Sequence, residues 1–432
     1  MKKASTIFTR ERLYSFWPFV LALFLYGLLF IARLETFNSF INKIVGPVFS
    51  AVIVLFFMRQ LKEFPPEIYI YTFFVIWGLT GLFVVVDSDV YWLMYTRAVQ
   101  VFILMVLVTL VMLTYGDPRL PLIAMALTSL SFLAYSYFGG DITTLEIDSQ
   151  KDRIGGLIGN ANGFGYIMLL GVVSAFYFWQ EHRSIIVRFV ILVLISIFGV
   201  GILVSASRKT FLGFVLFFVF WFVFCMRKTL LNNWKFVLAS LVLLIFAYQG
   251  VYYVLEHTYL GSRFFEFQNM QDIKGDNRYE LYKEGFAMAN KNPFFGVGIG
   301  NYGYHAYELT YAHSDWMEIL STMGYVGLSI YIIFYAAIFL RMRKIIRLTN
   351  DPKIVYYINF WRAFLLAHLI IAFGRPNFND LFAMTTIGFI IGYIRHVEMI
   401  KLGRFVLKSP IPQVPIQGAG SPIPATSKVY SQ

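Results

Sequence analysis

Residues 277–320 read NRYELYKEGFAMANKNPFFGVGIGNYGYHAYELTYAHSDWMEIL, a polar segment with a glycine-rich turn at its centre. Long apolar blocks precede this segment, and two more follow the helix with which it ends. The apolar blocks therefore predict a hydrophobic frame that holds the segment at a membrane surface.

One helix is predicted inside the segment. Asn277 is a good N-cap, and Glu280 three residues later completes a capping box. Pro293 is expected to end the helix, because proline cannot continue it. One face should pack on the membrane domain or enter the interface, and it carries Tyr279, Tyr282, Phe286 and Ala289.

The composition excludes an ordinary soluble protein. Of 432 residues, 58% are hydrophobic and only 14% are charged, whereas soluble domains carry about 25% charged residues. The net charge of +12 does not indicate nucleic acid, because most basic residues lie in short loops between apolar blocks. The single cysteine, Cys225, allows no disulfide framework and no cysteine-based metal site.

The predicted fold class is all-α, a polytopic membrane protein with about twelve transmembrane helices and a large, partly helical outer loop between helices nine and ten. A spanning helix needs about 20 apolar residues. Such blocks cover residues 14–33, 43–58, 67–86, 91–114, 119–138, 154–178, 186–206, 210–226, 234–254, 316–340, 355–373 and 377–394. The basic N-terminus lacks a small-residue cleavage site, so the first block is expected to be a retained membrane helix.

The charge pattern of the loops predicts an orientation and a division of the chain. Basic residues fill alternate loops and acidic residues the others, which places both termini in the cytoplasm. The predicted domains are residues 1–254 with nine helices, 255–315 as an outer catalytic loop, 316–404 with three helices, and 405–432 as a disordered cytoplasmic tail.

Basic side chains near the predicted outer turns are candidates for binding a pyrophosphate. Guanidinium groups bind phosphate bidentately and keep their charge. Arg278 is notable because a cation near a helix N-terminus opposes the helix dipole, and such conflicts mark functional sites. An alternative is that these side chains extend toward lipid headgroups. The candidates are Arg153, Arg208, Lys209, Arg278 and Arg375, together with Arg97 inside the fourth predicted helix.

His313 is the candidate proton acceptor of the predicted loop. It lies at the membrane edge, two residues before Asp315. Histidine takes up a proton near neutral pH, and general-base assistance contributes about 10²–10⁴ in rate. His368 is a weaker candidate for the same role.

Two further motifs are weighed against simpler interpretations. The glycine run Gly296, Gly298 and Gly300 lacks the preceding strand of a dinucleotide loop. The run predicts a turn that returns the chain to the membrane. Binding of an anion by its backbone amides is considered as a second role. Asp87 and Asp89 have the spacing to bind a divalent cation, but two acids in a short turn are more often solvated. No metal site and no cofactor are predicted.

Four motifs, taken in this order, resemble the O-antigen ligase and O-antigen polymerase superfamily of bacterial membrane glycosyltransferases. They are RIGGLIGNANGFG from Arg153, SASR from Ser205, RYELYKEGFAMANKNPFFGVGIGNY from Arg278, and HSDWMEILSTMGYVGL from His313. The similarity covers about residues 150–335. The NAN of Asn160 and Asn162 stands where the family commonly has NPN, and HSD stands where HN is frequent.

The resemblance implies a donor carried on undecaprenyl pyrophosphate, which is a substrate and not a cofactor. Arg208 and Arg278 match the residues taken to bind the pyrophosphate, and His313 matches the proposed base. Asn160, Asn162 and Asp315 are carried over as substrate-binding candidates. The implied location is the bacterial inner membrane, with the active loop on the periplasmic or outer face.

The implied function is inverting, metal-independent transfer of a lipid-linked oligosaccharide to an acceptor hydroxyl in surface-polysaccharide assembly, with polymerase favoured over ligase. The ligase alternative transfers the glycan to lipid A core, and a protein O-oligosaccharyltransferase transfers it to protein. A glycolipid transporter or flippase is an alternative of another class. Expected partners are the donor, a glycan or lipid A core acceptor, the bilayer, and a candidate chain-length regulator or flippase, but no nucleic acid.

Overall fold

The chain forms a bundle of long apolar helices. A computed structural model describes residues 4–139, 154–226, 249–253, 256, 260–261, 277–307 and 311–402. Across these residues there is no strand, and ten helices are long and apolar enough to cross a membrane. The prediction of an all-α polytopic membrane protein is confirmed.

The helices are numbered here along the described chain. They are α1 (Ala4–Leu29), α2 (Glu35–Phe40), α3 (Gly46–Phe56), α4 (Pro66–Gly78), α5 (Ser88–Tyr115), α6 (Arg119–Phe138), α7 (Ala161–Glu181), α8 (Ile185–Val204), α9 (Arg208–Cys225), α10 (Asn277–Lys291), α11 (Tyr302–His305), α12 (Asp315–Leu348), α13 (Pro352–Ile371) and α14 (Leu381–Lys401). The 3₁₀ segment Leu79–Phe83 extends α4, the 3₁₀ segment Ala372–Gly374 extends α13, and the π segment Ile41–Val45 joins α2 to α3.

The described residues keep the order of the predicted membrane helices, but α14, the last predicted block, is not among the ten helices that qualify as spans. The block predicted at 154–178 has a 3₁₀ turn at Gly156–Ile158 and becomes α-helical only at Ala161, because Asn160 caps the helix by accepting hydrogen bonds from two backbone amides. The block at 377–394 forms α14, which begins after the cap Asp380. Most of the block predicted at 234–254 and all of the tail at 405–432 lie outside the described residues.

Helix α7 lies at the centre of the bundle. Of its membrane-spanning residues, 89% are buried, which is the largest buried share among the spans of the described chain. It packs against α6, α8 and α9. A second contact joins α5 to α14, where Gly388 and Gly392 leave room for the backbone of α5. The Thr109 hydroxyl donates to the Gly388 carbonyl at 3.0 Å across this contact.

The end of the bundle that carries α10 is called the loop end. There the segment 372–380 meets the first residues of five helices, which are α5, α7, α9, α12 and α14. At the opposite end, cations of α12 and α14 surround Glu398 and Glu67. Arg341 Nε lies 2.6 Å from Glu67 Oε1, and Lys344 Nζ lies 2.9 Å from Glu398 Oε1.

Helix α12 is broken at Gly324, and the glycine run of the loop fills the break. Gly324 has φ 69° and ψ −174°. The carbonyls of Ser321 and Thr322 accept from the amides of Val297 and Gly298, each at 2.9 Å. The Tyr325 amide donates to the Pro293 carbonyl at 2.8 Å. The run therefore completes the backbone bonding of a membrane helix, as a buried chain requires.

Asn301 ties the same loop to the α4–α5 connection. Its side chain is fully buried, accepts from the amides of Val86 and Asp87, and donates to the Asp87 carbonyl. These three bonds fix the loop relative to the first turn of α5.

Helix α10 confirms the predicted start at Asn277, and part of the predicted face packs on the bundle, while entry of its exposed rings into the interface stays a prediction. Ala289 is buried, whereas Tyr279 and Phe286 are 45% and 49% exposed. The buried face also holds Leu281 and Met288, which pack with residues of α12. Small and aliphatic residues fit closely against α12, while the larger rings stay outside.

Candidate active site at the loop end

A cavity of about 750 Å³ opens at the loop end. Four of the residues predicted to bind substrate line it, namely Arg97, Asn160, Asn162 and Arg375. They come from α5, from the start of α7 and from the segment after α13, so distant parts of the sequence converge at one place. Tyr302, Tyr304, Tyr311, Glu318 and Asp380 also line the cavity and were not predicted as site residues.

The turn before α9 is joined to the cavity through Asn162. The Ser207 hydroxyl donates to Asn162 Oδ1 at 2.9 Å and also accepts from the Thr210 amide as the N-cap of α9. Ala206 before it has φ 47°, a left-handed backbone that is uncommon for a residue with a β-carbon. Arg208 is the first residue of α9 and is half-buried, so the tight turn places it directly beside the Asn162 contact.

Lys209 passes over the backbone of Gly374. A β-carbon built on Gly374 would lie 2.2 Å from Lys209 Cδ and 2.8 Å from its Nζ. Only a glycine leaves room for this side chain, so Gly374 brings the Lys209 ammonium next to the segment that carries Arg375.

Arg375 is held by two neighbouring side chains. Its guanidinium pairs with Asp380, and its central carbon lies 4.4 Å from the centre of the Tyr166 ring. The side chain is 11% exposed. Its Nη1 atom is buried and makes no hydrogen bond within the described residues. An unpaired guanidinium nitrogen at a cavity wall is a suitable donor for an anionic ligand.

His313 lies at the end of the loop in a left-handed backbone conformation, φ 55°. Its ring packs on Tyr311, with 4.1 Å between the ring centres. Burial first, and then the charges of Lys209 and Arg278, lower the pKa of His313 to about 4. The imidazole is therefore neutral at physiological pH and able to accept a proton.

Tyr311 links His313 to the cavity wall. Its side chain is hydrogen-bonded to that of Asn160, and both residues line the cavity. Burial raises the pKa of Tyr311, with electrostatic contributions from Glu318, Arg375 and Arg278. Arg278 is therefore within electrostatic range of both Tyr311 and His313, whereas His313, Arg208, Lys209 and Arg278 do not themselves line the cavity.

Glu318 is the principal residue that the sequence reasoning missed. It is 7% exposed, lines the cavity, and accepts from the Ala312 amide at 2.8 Å. An acid about one turn inside an apolar helix is costly and usually functional. That signal was present in the sequence, five residues after His313.

Both carboxylate oxygens of Asp315 accept hydrogen bonds from within the protein. It is fully buried, and one carboxylate oxygen accepts from the amides of Asn377 and Phe378 at 2.8 and 3.0 Å. The other oxygen accepts from the Tyr331 hydroxyl at 2.5 Å. Asp315 therefore positions the Arg375 segment, and its predicted contact with substrate stays a prediction.

Asp87 and Asp89 begin α5. Asp87 caps this helix through one oxygen, and the other accepts from the Tyr304 hydroxyl at 2.5 Å. This hydrogen bond lowers the pKa of Asp87. Across the described residues, no group of three or more histidine, cysteine or acidic side chains has the arrangement of a metal site. Arg153 lies outside the described residues.

Residues 192–332 match the family model of O-antigen ligase. This match covers about a third of the chain and supports the resemblance to the O-antigen ligase and polymerase superfamily. No curated protein matches the chain. The O-antigen ligase region includes Arg208, Lys209, Arg278, His313 and Glu318.

Several residues that line the cavity lie outside the matched region. Arg97, Asn160 and Asn162 precede it, and Arg375 follows it. The cavity therefore combines side chains from within and beyond the family domain. The protein is a multi-pass membrane protein with a region that is similar to O-antigen ligases.

Proposed function

We propose that this protein is an inverting glycosyltransferase that uses no metal and moves an undecaprenyl-pyrophosphate-linked oligosaccharide to an acceptor hydroxyl, with polymerase activity favoured over ligase activity. The observation that carries the proposal is the position of His313, whose ring packs on Tyr311 at the wall of a cavity that Arg97 and Arg375 also line. A proton acceptor and cations for a leaving diphosphate are the two elements that this reaction needs.

The reaction is a direct displacement at the anomeric carbon. The acceptor oxygen forms a new bond to that carbon while its proton passes to the imidazole of His313. The bond from the anomeric carbon to the pyrophosphate oxygen breaks, and the diphosphate leaves with the electron pair. Attack from the opposite side inverts the configuration.

The cations stabilise the charge that develops on the leaving group. Arg208 and Arg278 are proposed to contact the diphosphate, with Lys209, Arg375 and Arg97 in support. Removal of one such preorganised donor typically costs about 10²–10³ in rate. The bundle also positions donor and acceptor together, which removes part of the entropic barrier.

The test is transfer by purified protein incubated with an undecaprenyl-pyrophosphate oligosaccharide. A ladder of longer lipid-linked products identifies a polymerase. Transfer only after addition of lipid A core identifies a ligase, and transfer only after addition of protein identifies a protein glycosyltransferase. No product from any of these acceptors would contradict the proposal and favour a transporter.

Three variants test the assigned residues. Arg208→Ala, Arg278→Ala and His313→Ala should each abolish polymer formation at normal protein abundance. Arg343→Ala, an exposed arginine at the opposite end of the bundle, is the matched control and should behave as wild type. Wild-type glycan lengths in all three variants would contradict the assignment. Loss of transfer in EDTA that Mg²⁺ restores would contradict metal independence and return attention to Asp87 and Asp89.

A further inference from the structure

Glu318 is a buried acid that the proposed reaction does not use. It lies about one turn inside α12 and lines the cavity at the loop end. One of its carboxylate oxygens accepts a hydrogen bond from the backbone amide of Ala312 at 2.8 Å. Ala312 is fully buried and directly precedes His313. A side chain of α12 therefore holds the backbone that carries the candidate proton acceptor.

The turn at His313 needs such an anchor. Its φ of 55° is a left-handed conformation, which a residue with a β-carbon keeps only where surrounding contacts enforce it. After His313, the Ser314 hydroxyl accepts from the Met317 amide and caps α12. Before His313, the hydrogen bond from Ala312 to Glu318 fixes the chain. The two bonds therefore hold both neighbours of His313 against the same helix.

The spacing of His313 and Glu318 places both residues at one helix start. Ser314 is the N-cap of α12, so His313 directly precedes the cap and Glu318 is the fourth helical residue. In many helices these two positions carry apolar side chains that pack on each other and fix the angle at which the chain enters the helix. Here the fourth position carries an acid, which is costly inside an apolar helix and usually functional. Because the acid binds the backbone, a hydrogen bond fixes the entry of the chain.

We propose that Glu318 is a positioning residue, which holds the turn at residues 312–314 so that the His313 imidazole stays beside the cavity, against Tyr311. This inference rests on the proposed function for the role of His313 as proton acceptor. Glu318 acts through the Ala312 amide and touches none of the reacting atoms. Misplacement of a reacting group by about 1 Å can lower a rate about 100-fold, so loss of this anchor should lower kcat.

Three variants separate the hydrogen bond of Glu318 from its charge. Glu318→Gln removes the charge but keeps an oxygen that can accept from the Ala312 amide. Glu318→Asp keeps the charge but is one methylene too short to reach that amide, and Glu318→Leu accepts nothing. Glu284→Leu is the matched control. The carboxylate of Glu284 accepts from the Tyr307 amide in the same loop, at 3.4 Å, and Glu284 is not among the residues that line the cavity.

Hydrogen exchange measured by mass spectrometry reports the anchor without any transfer reaction. The peptide that contains Ala312 should exchange at least about 10-fold faster in Glu318→Leu and Glu318→Asp than in wild type. The same peptide should exchange as wild type in Glu318→Gln and Glu284→Leu. In the transfer assay, Glu318→Leu and Glu318→Asp should lower kcat about 100-fold at an unchanged donor KM, whereas Glu318→Gln and Glu284→Leu should keep most of the wild-type kcat.

The pH profile is a readout that a general loss of stability would not move. Burial is the main cause that lowers the pKa of His313 to about 4, Lys209 and Arg278 contribute, and the Tyr311 ring packs on the same imidazole. Release of the turn should expose the imidazole to water and raise its pKa, and the neutral imidazole is the active form. The acidic limb of kcat/KM should therefore move to higher pH in Glu318→Leu and stay in place in Glu318→Gln.

Equal exchange in Glu318→Leu and wild type, or a larger loss of kcat in Glu318→Gln than in Glu318→Asp, would overturn the proposal. The second result would mean that the charge of Glu318 acts on the substrate directly. Failure of this inference and failure of the proposed function are separable. A protein that transfers no glycan but shows the expected exchange pattern retains the anchor, whereas one that transfers glycan with wild-type kcat in Glu318→Leu does not use it.

Discussion

His313 combines a left-handed backbone with an imidazole that resists protonation. Such a conformation costs about 1–3 kcal/mol and persists only where neighbouring contacts fix it. Here Glu318 binds the Ala312 amide on one side, and the Ser314 cap fixes the start of α12 on the other. A bound diphosphate would offset Lys209 and Arg278 and raise the pKa of His313 from about 4 toward that of an effective base.

The first prediction concerns the pH dependence of kcat/KM, which reports groups of the free enzyme. Activity should fall as pH drops through the folded pKa of His313, because a protonated imidazole accepts no proton. Lys209→Met removes one suppressing cation, so the acidic limb should move upward from about pH 4. Lys291→Met is the control, since the charge of Lys291 acts on His305. An unmoved limb in Lys209→Met would refute the assigned base.

The second prediction distinguishes the role of the Tyr166 ring from the role of its hydroxyl. The ring lies under the Arg375 guanidinium, and the hydroxyl bonds to His368 Nδ1 at 2.8 Å. A desolvated cation–π contact contributes up to about 2 kcal/mol. Tyr166→Leu should therefore raise the donor KM by about 10-fold, whereas Tyr166→Phe, which keeps the ring, should change it little. Steady-state kinetics measure the donor KM of both variants. An equal change of KM in the two would show that the ring does not position Arg375.

At the scale of elements, the break in α12 explains how a polar loop becomes a fixed wall of a membrane protein. The amides of Val297 and Gly298 are already bonded to Ser321 and Thr322. These two amides therefore have no hydrogen left to donate to a ligand, which argues against the anion binding that was considered for the glycine run. The loop and the broken helix stabilise each other, so neither should keep its shape alone.

The third prediction follows from Gly324. Its φ of 69° disfavours any β-carbon, and one placed there would lie 2.4 Å from the Phe294 carbonyl oxygen. Gly324→Ala should lower the free energy of unfolding by at least about 1–3 kcal/mol and expose residues 277–307 to protease. Gly199→Ala on α8, where a β-carbon meets nothing within 4 Å, is the control. Equal protease resistance in both variants would contradict the interlocked arrangement.

Particular residues show what the sequence could and could not predict. Membrane helices were predictable because apolar blocks and caps such as Asp87 and Asp380 are local signals. The contact of Asn162 with Ser207 spans 45 positions and has no local signal. On α10, periodicity identified one stripe of apolar residues, but the neighbouring helix α12 decides that Leu281 and Met288 are also buried. Glu318 had a local signal, an acid inside an apolar helix, but only the cavity that several helices form together shows what it faces.

At the scale of the whole molecule, the two ends of the bundle carry charge for different purposes. At the loop end, Arg97 and Arg375 line a cavity. At the opposite end, Arg341 and Arg395 are paired with buried acids and join α4, α12 and α14. The ion pairs at the opposite end lock helices together, whereas Arg375 at the loop end, although it pairs with Asp380, keeps its Nη1 atom available for a ligand. This division supports an enzyme whose chemistry takes place at one membrane face.

The last prediction concerns which face that is. Short loops rich in arginine and lysine stay in the cytoplasm, and Arg341, Arg343, Lys344 and Arg347 crowd the last turns of α12. The loop end should therefore face away from the cytoplasm. In a Cys225→Ser background, an impermeant maleimide added to intact spheroplasts should label Tyr307→Cys, a position that is 94% exposed. It should label Arg343→Cys only after the membrane is permeabilised, and the reverse pattern would invert the orientation and place the proposed transfer in the cytoplasm.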